Sequence, residues 1–265
     1  NSTGTIASQV DEYSGDYFGY SLSVREDMLI VGAYGVDDNG STSGAAYIYK
    51  TTNNGNNWYF KQKLVASDGS AGDRYGYSVD INNKYAVMGS YLDDSKGSVY
   101  IYKTSDSGES WGNEKKIRPS DIGTNDQYGR AVGLYDNRVI SSAGGHDVIA
   151  ENAGAVYIYE TSDEGDNWEQ KSKVVAQDVN EDQYFSFGPP FTVGMNDKYG
   201  VIGAYREGEE EAPSSGSAYI VNVLVTTSNY NIDLSFNSSF SGVKFFKKLD
   251  TNFAFIRLSA IFWTL

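Results

Sequence analysis

The chain has 265 residues, of which 29 are Gly, 22 Tyr and only 4 Pro. With no long apolar run of helical period, this composition suits many short strands joined by tight turns. A formal net charge of −14 excludes nucleic acid and anionic membrane as natural partners, and the lack of Cys excludes disulfides and thiolate metal sites.

In chain order, Ile6-Ala7-Ser8 followed by Asp11 and Asp16 echoes Val65-Ala66-Ser67, Asp68 and Asp73, so residues 1–14 read as the end of a preceding repeat. Full units open at Gly15-Asp16-Tyr17-Phe18-Gly19-Tyr20-Ser21, at Gly72-Asp73-Arg74-Tyr75-Gly76-Tyr77-Ser78 and at Asn125-Asp126-Gln127-Tyr128-Gly129, with a fourth at Glu181. These starts, at 15, 72, 125 and 181, lie 57, 53 and 56 residues apart. Several strands recurring at that spacing are the mark of a β-propeller blade. The expected fold is all-β, a propeller of four-stranded antiparallel blades near 15–67, 72–120, 125–177 and 181–223. Four units stand at the low end of the roughly four to eight that close a propeller, so an incomplete or irregular ring is expected, with missing blades or self-association.

Within each unit the first strand (Gly19 to Val24, Gly76 to Ile81, Gly129 to Leu134) alternates small and large residues, as a crowded inner strand of a tapering sheet requires. The second covers Met28 to Tyr34, Tyr85 to Tyr91, Val139 to Gly144 and Tyr199 to Tyr205. The third is Gly-(Ala/Ser)-x-Tyr-Ile-(Tyr/Val), apolar on both faces and hence buried between blades. The fourth, Lys61 to Val65, Lys115 to Ile117 and Lys171 to Val175, is mixed in polarity, as an outer edge should be. In the fourth unit Phe185 to Pro190 interrupts the inner strand, and a distortion is expected there. Residues 224–265 leave the pattern and read as extra strands or a tail; their apolar stretch Phe253 to Leu265 is too short to span a bilayer as a helix.

Asp-x-(Phe/Tyr)-Gly-x-Ser-(Leu/Val), the Ile30-Val31-Gly32-Ala33 strand, Gly-Ser-x-Tyr-Ile-Tyr and Lys-Leu-Val-Ala-Ser-Asp together resemble FG-GAP repeats, the units of integrin α-subunit-like propellers. The resemblance covers about residues 6–223. It implies a recognition or adhesion module, extracellular or at the cell surface, that binds a protein or a glycan. The family's Gly-Ala-Pro is altered to Gly32-Ala33-Tyr34, Gly89-Ser90-Tyr91 and Gly203-Ala204-Tyr205, and to Ser142-Ala143-Gly144 in the third unit. The calcium loop that the integrin type carries is not carried over: Arg25-Glu26-Asp27, Asn82-Asn83-Lys84 and their counterparts are too short to place six oxygens round an ion.

The segments Thr104-x-Asp106-x-Gly108-x-Ser110-Trp111, Thr161-x-Asp163-x-Gly165-x-Asn167-Trp168 and Thr51-x-Asn53-x-Gly55-x-Asn57-Trp58 resemble the Asp-box of sialidases, which implies a structural role. Physically, Asp or Asn caps turn donors, Gly takes a positive φ and Trp packs down on the blade.

A hydrolase would need a catalytic constellation, and Arg25, Arg74, Arg118, Arg130, Arg138, Arg206 and Arg257 recur at no common repeat position. A sialidase-like enzyme or a lectin stays as the alternative to a non-enzymatic binder. The lone His146 has no nucleophile patterned around it and reads as a loop residue. Paired aspartates recur between units (Asp68 and Asp73, Asp121 and Asp126); they read as turn caps, with a cation site as the weaker alternative. Binding-face candidates lie in the loops between second and third strands: Asp37, Asp38, Asp93, Asp94, Asp147, Glu151, Glu207, Glu209, Glu210 and Glu211. Strand direction places these loops on the side of the fourth-to-first links and the Asp-box turns on the other. Loops on a rigid scaffold are where recognition residues gather, so the acidic side is the expected contact face.

Overall fold

The computed structural model describes residues 13–147, 152–175, 192–204 and 217–223, and the backbone of Val243–Asp250 and Phe253–Ala260. The first sheet orders β1 (Ser21–Arg25), β2 (Met28–Ala33), β3 (Ala45–Lys50) and β4 (Tyr59–Leu64) as a meander. The second repeats it with β5 (Ser78–Ile81), β6 (Tyr85–Ser90), β7 (Ser98–Lys103) and β8 (Gly112–Ile117). The third does so with β9 (Tyr128–Tyr135), β10 (Arg138–Ala143), β11 (Ala155–Glu160) and β12 (Glu169–Val174). All neighbours pair antiparallel, so these are the expected four-stranded blades. Each outer strand carries a register shift at the same repeat position, opposite Ile48/Tyr49, Ile101/Lys103 and Ile158/Tyr159, which bends the edge away from further pairing.

The fourth sheet departs from the pattern. Its inner strand β13 (Val193–Met195) has three residues and precedes β14 (Tyr199–Ala204) and β15 (Ser217–Asn222). The position of the fourth strand is taken by β17 (Phe253–Ala260), with β16 (Val243–Asp250) outside it, in the order β13-β14-β15-β17-β16. The non-repeat segment thus supplies extra strands at 243–260. The Phe185 to Pro190 interruption lies outside the described residues.

The inner strands β1, β5, β9 and β13 touch in succession. The approach is close because the facing positions are small: a Cβ on Gly32 would lie 2.0 Å from the carbonyl oxygen of Gly76, and one on Gly89 1.8 Å from that of Gly129. Ser21 and Ser78 donate their hydroxyls to those same carbonyls, each over 2.9 Å. Asp80 joins three blades, accepting Ser23 Oγ at 2.6 Å and the Leu134 amide at 2.8 Å. Apolar residues of adjacent blades interdigitate outside this seam, as where Met28, Ile30 and Ile48 of the first meet Val79, Ile81 and Tyr100 of the second.

Among the described residues the ring is not closed. Val79 and Ile81 on β5 are 5% and 0% exposed, but the equivalent Leu22 and Val24 on β1, which no preceding blade covers among the described residues, are 53% and 50% exposed. At the far end Tyr199 and Val201 are likewise exposed, although Ile30, Val87 and Ile140 at the position of Val201 are buried. One repeat position therefore predicts two costs. Val79→Ala should destabilise by about 1–2 kcal/mol, and Leu22→Ala by less than about 0.5 kcal/mol, as read from chemical denaturation midpoints.

Candidate functional site

The loops between second and third strands and the links between blades are hydrogen-bonded together, which fixes them on one side. Amides of Gly72, Arg74 and Tyr75 donate to the carbonyls of Ser41, Thr42 and Ser43, over 2.8, 3.1 and 2.9 Å. One repeat later Asn125 and Tyr128 donate to Ser95 and Lys96, over 2.7 and 2.9 Å. Parallel bridges Gly44–Tyr75 and Gly97–Tyr128 complete each seam.

On this stitched side Asp37, Asp38, Asp94 and Asp147 are exposed, whereas Asp93 is buried. Asp37 caps the Thr42 amide at 2.6 Å and Asp147 the Asn152 amide at 2.7 Å. Asp38 pairs with Lys63 at 2.7 Å and Asp94 with Arg118 at 3.1 Å. Asp93 opens a turn of 3-10 helix (Asp93–Ser95) and accepts from Lys116 at 2.7 Å, from Arg118 and from the Ser98 hydroxyl at 2.6 Å. Its carboxylate holds the loop to the outer strand, so it belongs to the scaffold. Glu151, Glu207, Glu209, Glu210 and Glu211 lie outside the described residues.

The recurrent aspartates divide into two jobs. Asp16, Asp73 and Asp126 are buried and cap the amide three residues earlier, at 3.2, 2.7 and 2.7 Å. Burial pushes the Asp73 carboxyl up from its ordinary value. Asp68 and Asp121 each accept a tyrosine hydroxyl and a lysine of the next blade: Tyr100 at 2.8 Å and Lys116 at 2.7 Å, Tyr157 at 3.0 Å and Lys173 at 2.6 Å. Burial opposes their ionised form, yet the lysine and tyrosine bonds hold both carboxyls below the ordinary range. Among the described residues no group of three or more His, Asp or Glu is placed to hold a metal ion. His146 is buried in the same network, with Nδ1 2.6 Å from Asp126 and Nε2 2.8 Å from Lys173. Lys173 has only donors, so Nε2 accepts and Nδ1 carries the proton toward Asp126. The loop histidine is a structural link between the turn cap and the outer strand.

On the opposite side Thr51, Thr104 and Thr161 are tied to the first hairpins through Asp27, Lys84 and Asn137. In each turn the Thr hydroxyl accepts the Gly amide, at 3.0, 2.9 and 2.9 Å for Gly55, Gly108 and Gly165. The Asn53, Asp106 or Asp163 oxygen caps the amide four residues on, each at 2.9 Å. All three glycines have positive φ, +83°, +86° and +89°. The tryptophans do more than pack on their own blade. Trp111 is buried with Met28 and Ile30 of the preceding blade and exchanges two hydrogen bonds with Gln62, and Trp168 meets Tyr85 edge-on at 5.2 Å. Trp58 is half-buried against the first blade's own face, beside Tyr49 and Phe60.

These caps carry a pH dependence. Hydrogen bonds from Ser110 and Thr104 hold the Asp106 carboxyl at about 2, and those from Asn167 and Thr161 hold Asp163 at about 2. A folded value below the ordinary 3.8 means stability present above 3.8 and lost as pH falls toward about 2. Asp106→Asn and Asp163→Asn should flatten the loss of Tm over that window, and the first blade's Asn53 turn contributes none of it.

One constellation went unread in the sequence. At the inner end of the stitched side, just before β1 and β5 and just after β2 and β6, five tyrosines and two arginines form a ladder. Tyr17 stacks flat on Tyr34 with centroids 4.7 Å apart and planes 9° apart, and Tyr20 meets Tyr34 edge-on at 4.6 Å. Tyr20 and Tyr77 share a hydroxyl contact of 2.9 Å, and Tyr77 lies 4.4 Å from Tyr91. Arg74 lies over Tyr34 and Tyr91 at 5.7 and 5.5 Å, and Arg130 over Tyr77 and Tyr91 at 5.6 and 4.9 Å. The signal was present in the altered Gly-Ala-Tyr and in the residue after each Phe/Tyr-Gly. It was obscured because the two arginines occupy different repeat positions.

A family model for the FG-GAP repeat matches residues 7–49, 58–102, 111–159 and 168–221. The chain belongs to the FG-GAP repeat family. The first match ends within β3, and the other three each begin at the outer strand of one blade (β4, β8, β12) and end within the third strand of the next, so the FG-GAP repeat is offset from the blade by one strand, and β16 and β17 lie outside the matches. No curated protein matches the chain. Among solved structures, Saccharomyces cerevisiae Sqt1 is similar at 12% identity over 78% of this chain, with a TM-score of 0.41. The chain spans 45% of that structure's length. Among the described residues no helix is long and apolar enough to cross a membrane.

Proposed function

We propose that this FG-GAP repeat protein is a non-enzymatic recognition module of the cell surface or extracellular space, and that it meets a basic protein surface with its stitched side. The observation that carries the reading is the exposure of Asp37, Asp38 and Asp94 on loops whose bases are fixed by interblade hydrogen bonds, and of Asp147 on the equivalent loop of the third blade. Rigid loop bases lower the ordering cost of binding, and exposed carboxylates favour encounter with cations. The net charge of −14 acts in the same direction. The opposite side is committed to turn caps and interblade tryptophans, which supports a scaffold role there.

A lysine-rich peptide serves as the probe. Asp37→Lys, Asp38→Lys, Asp94→Lys and Asp147→Lys combined should weaken its binding about tenfold or more, and wild-type affinity should fall as salt rises. Asp93 stays untouched, because reversing a buried, doubly paired carboxylate tests folding. Glu164→Lys with Asp166→Lys, on the opposite side, should change affinity little. Equal loss from both sets would contradict the reading.

A further inference from the structure

The tyrosine and arginine ladder has features that a packing role leaves unexplained. Tyr17 stays 56% exposed although one ring face is covered by Tyr34, so its other face is open to solvent. Arg74 donates to the Tyr91 hydroxyl, and among the described residues no carboxylate pairs with it. A guanidinium has five N–H donors, and the Tyr91 hydroxyl uses one.

The backbone supplies a second, independent sign. Tyr17, Arg74 and Gln127 occupy one repeat position and have φ of +54°, +59° and +57°. Glycine takes that conformation without penalty, whereas a residue with a Cβ pays strain. Each repeat nevertheless places a large side chain there, and all three reach the ladder: Tyr17 on Tyr34, Arg74 on Tyr34 and Tyr91, Gln127 by accepting from Arg130 at 2.5 Å. Strain kept at three equivalent sites whose side chains converge marks a site held for its side chains.

We propose that this ladder binds a sugar ring bearing a carboxylate, a uronic acid residue of a polysaccharide, with Tyr17 beneath the ring, the upright Tyr20 at its rim and Arg74 on the carboxylate. A flat, open tyrosine face matches the flat C–H face of a pyranose, whose hydroxyls remain at the rim. The free fork of a guanidinium matches a carboxylate in bidentate geometry. Burial and the Tyr77 hydrogen bond push the Tyr20 phenol up from its ordinary value, so it stays a neutral hydrogen-bonding group and adds no repelling charge. A peptide would normally anchor a side chain in a closed pocket, and a ladder edged by hydroxyls offers a platform instead. The site differs in sign from the acidic loops and is independent of the reading given to them.

The test is calorimetric titration with a uronic acid tetrasaccharide, its methyl ester and an acidic Glu/Tyr peptide. The acid sugar should bind in about the millimolar range or tighter, and the ester, which keeps the rings and loses the charge, about tenfold more weakly. Arg74→Gln should cost about tenfold for the acid and little for the ester. Tyr17→Gly relieves the strained φ, so Tm should hold or rise while binding drops about fivefold or more. Tyr20→Ala should also weaken binding, with melting measured alongside to exclude unfolding. Failure of the tetrasaccharide to bind, equal binding of acid and ester, preference for the peptide, or unchanged binding by folded Tyr17→Gly and Arg74→Gln would each overturn the proposal.

Discussion

Gly89→Ala is expected to lower Tm by about 6–12 °C, corresponding to at least about 3 kcal/mol. The new methyl would sit 1.8 Å from the Gly129 carbonyl oxygen and 2.3 Å from Ser78 Oγ. The serine can rotate away, but the carbonyl is backbone, and its hydrogen bond from Ser78 would be lost in doing so. Relief therefore requires inner strands of two blades to separate, which disturbs the packing of Tyr85, Val87 and Val99 against Val132 and Leu134. Gly112→Ala provides the control, since its Cβ would meet nothing within 4 Å and its φ is not positive; its Tm should stay within about 2 °C. A Gly89→Ala protein that melts with wild type would mean the inner strands are not in backbone contact.

Trp111→Ala should cost about 3–5 kcal/mol, the usual price of deleting a large buried aromatic. The residue starts in a turn of the second blade but is buried among Met28, Ile30 and Ile48 of the first. Its removal opens a cavity between blades, while the two hydrogen bonds of Gln62, made to the backbone of residue 111, remain available to the alanine. Trp168→Ala, at a half-buried site against Tyr85, should cost less. Equilibrium unfolding in urea separates the two values; equal costs would show that both tryptophans act only within their own turns.

Local features of the fold were legible because they recur. Alternation in Ser21 to Val24, the Tyr-Ile-Tyr strand and the Thr-x-Asp-x-Gly turn are set by residues within a few positions of one another. The contacts between blades were less legible, since Trp111 with Gln62, or Asp68 with Lys116, join residues nearly a whole repeat apart. No local pattern encodes the partner. The fourth sheet was hidden for a related reason: β17 replaces the fourth strand with residues outside the repeat, and only backbone pairing with β15 reveals it. At the candidate site, loop length and charge identified which side carries the acidic residues. They did not separate Asp93, buried under Lys116 and Arg118, from exposed Asp94 beside it. The ladder was missed because a search for one conserved repeat position overlooks Arg74 and Arg130, which meet over Tyr91 from different positions.

The proposed function divides the molecule into a recognition side and a scaffold side. Hydrogen exchange of the backbone amides, measured with and without the lysine-rich peptide, tests that division directly. Protection is expected at residues 37–43 and 92–96 and at Asp147, with none at 52–57, 105–110 or 162–167. Protection confined to the latter three turns, with the loops unchanged, would contradict it.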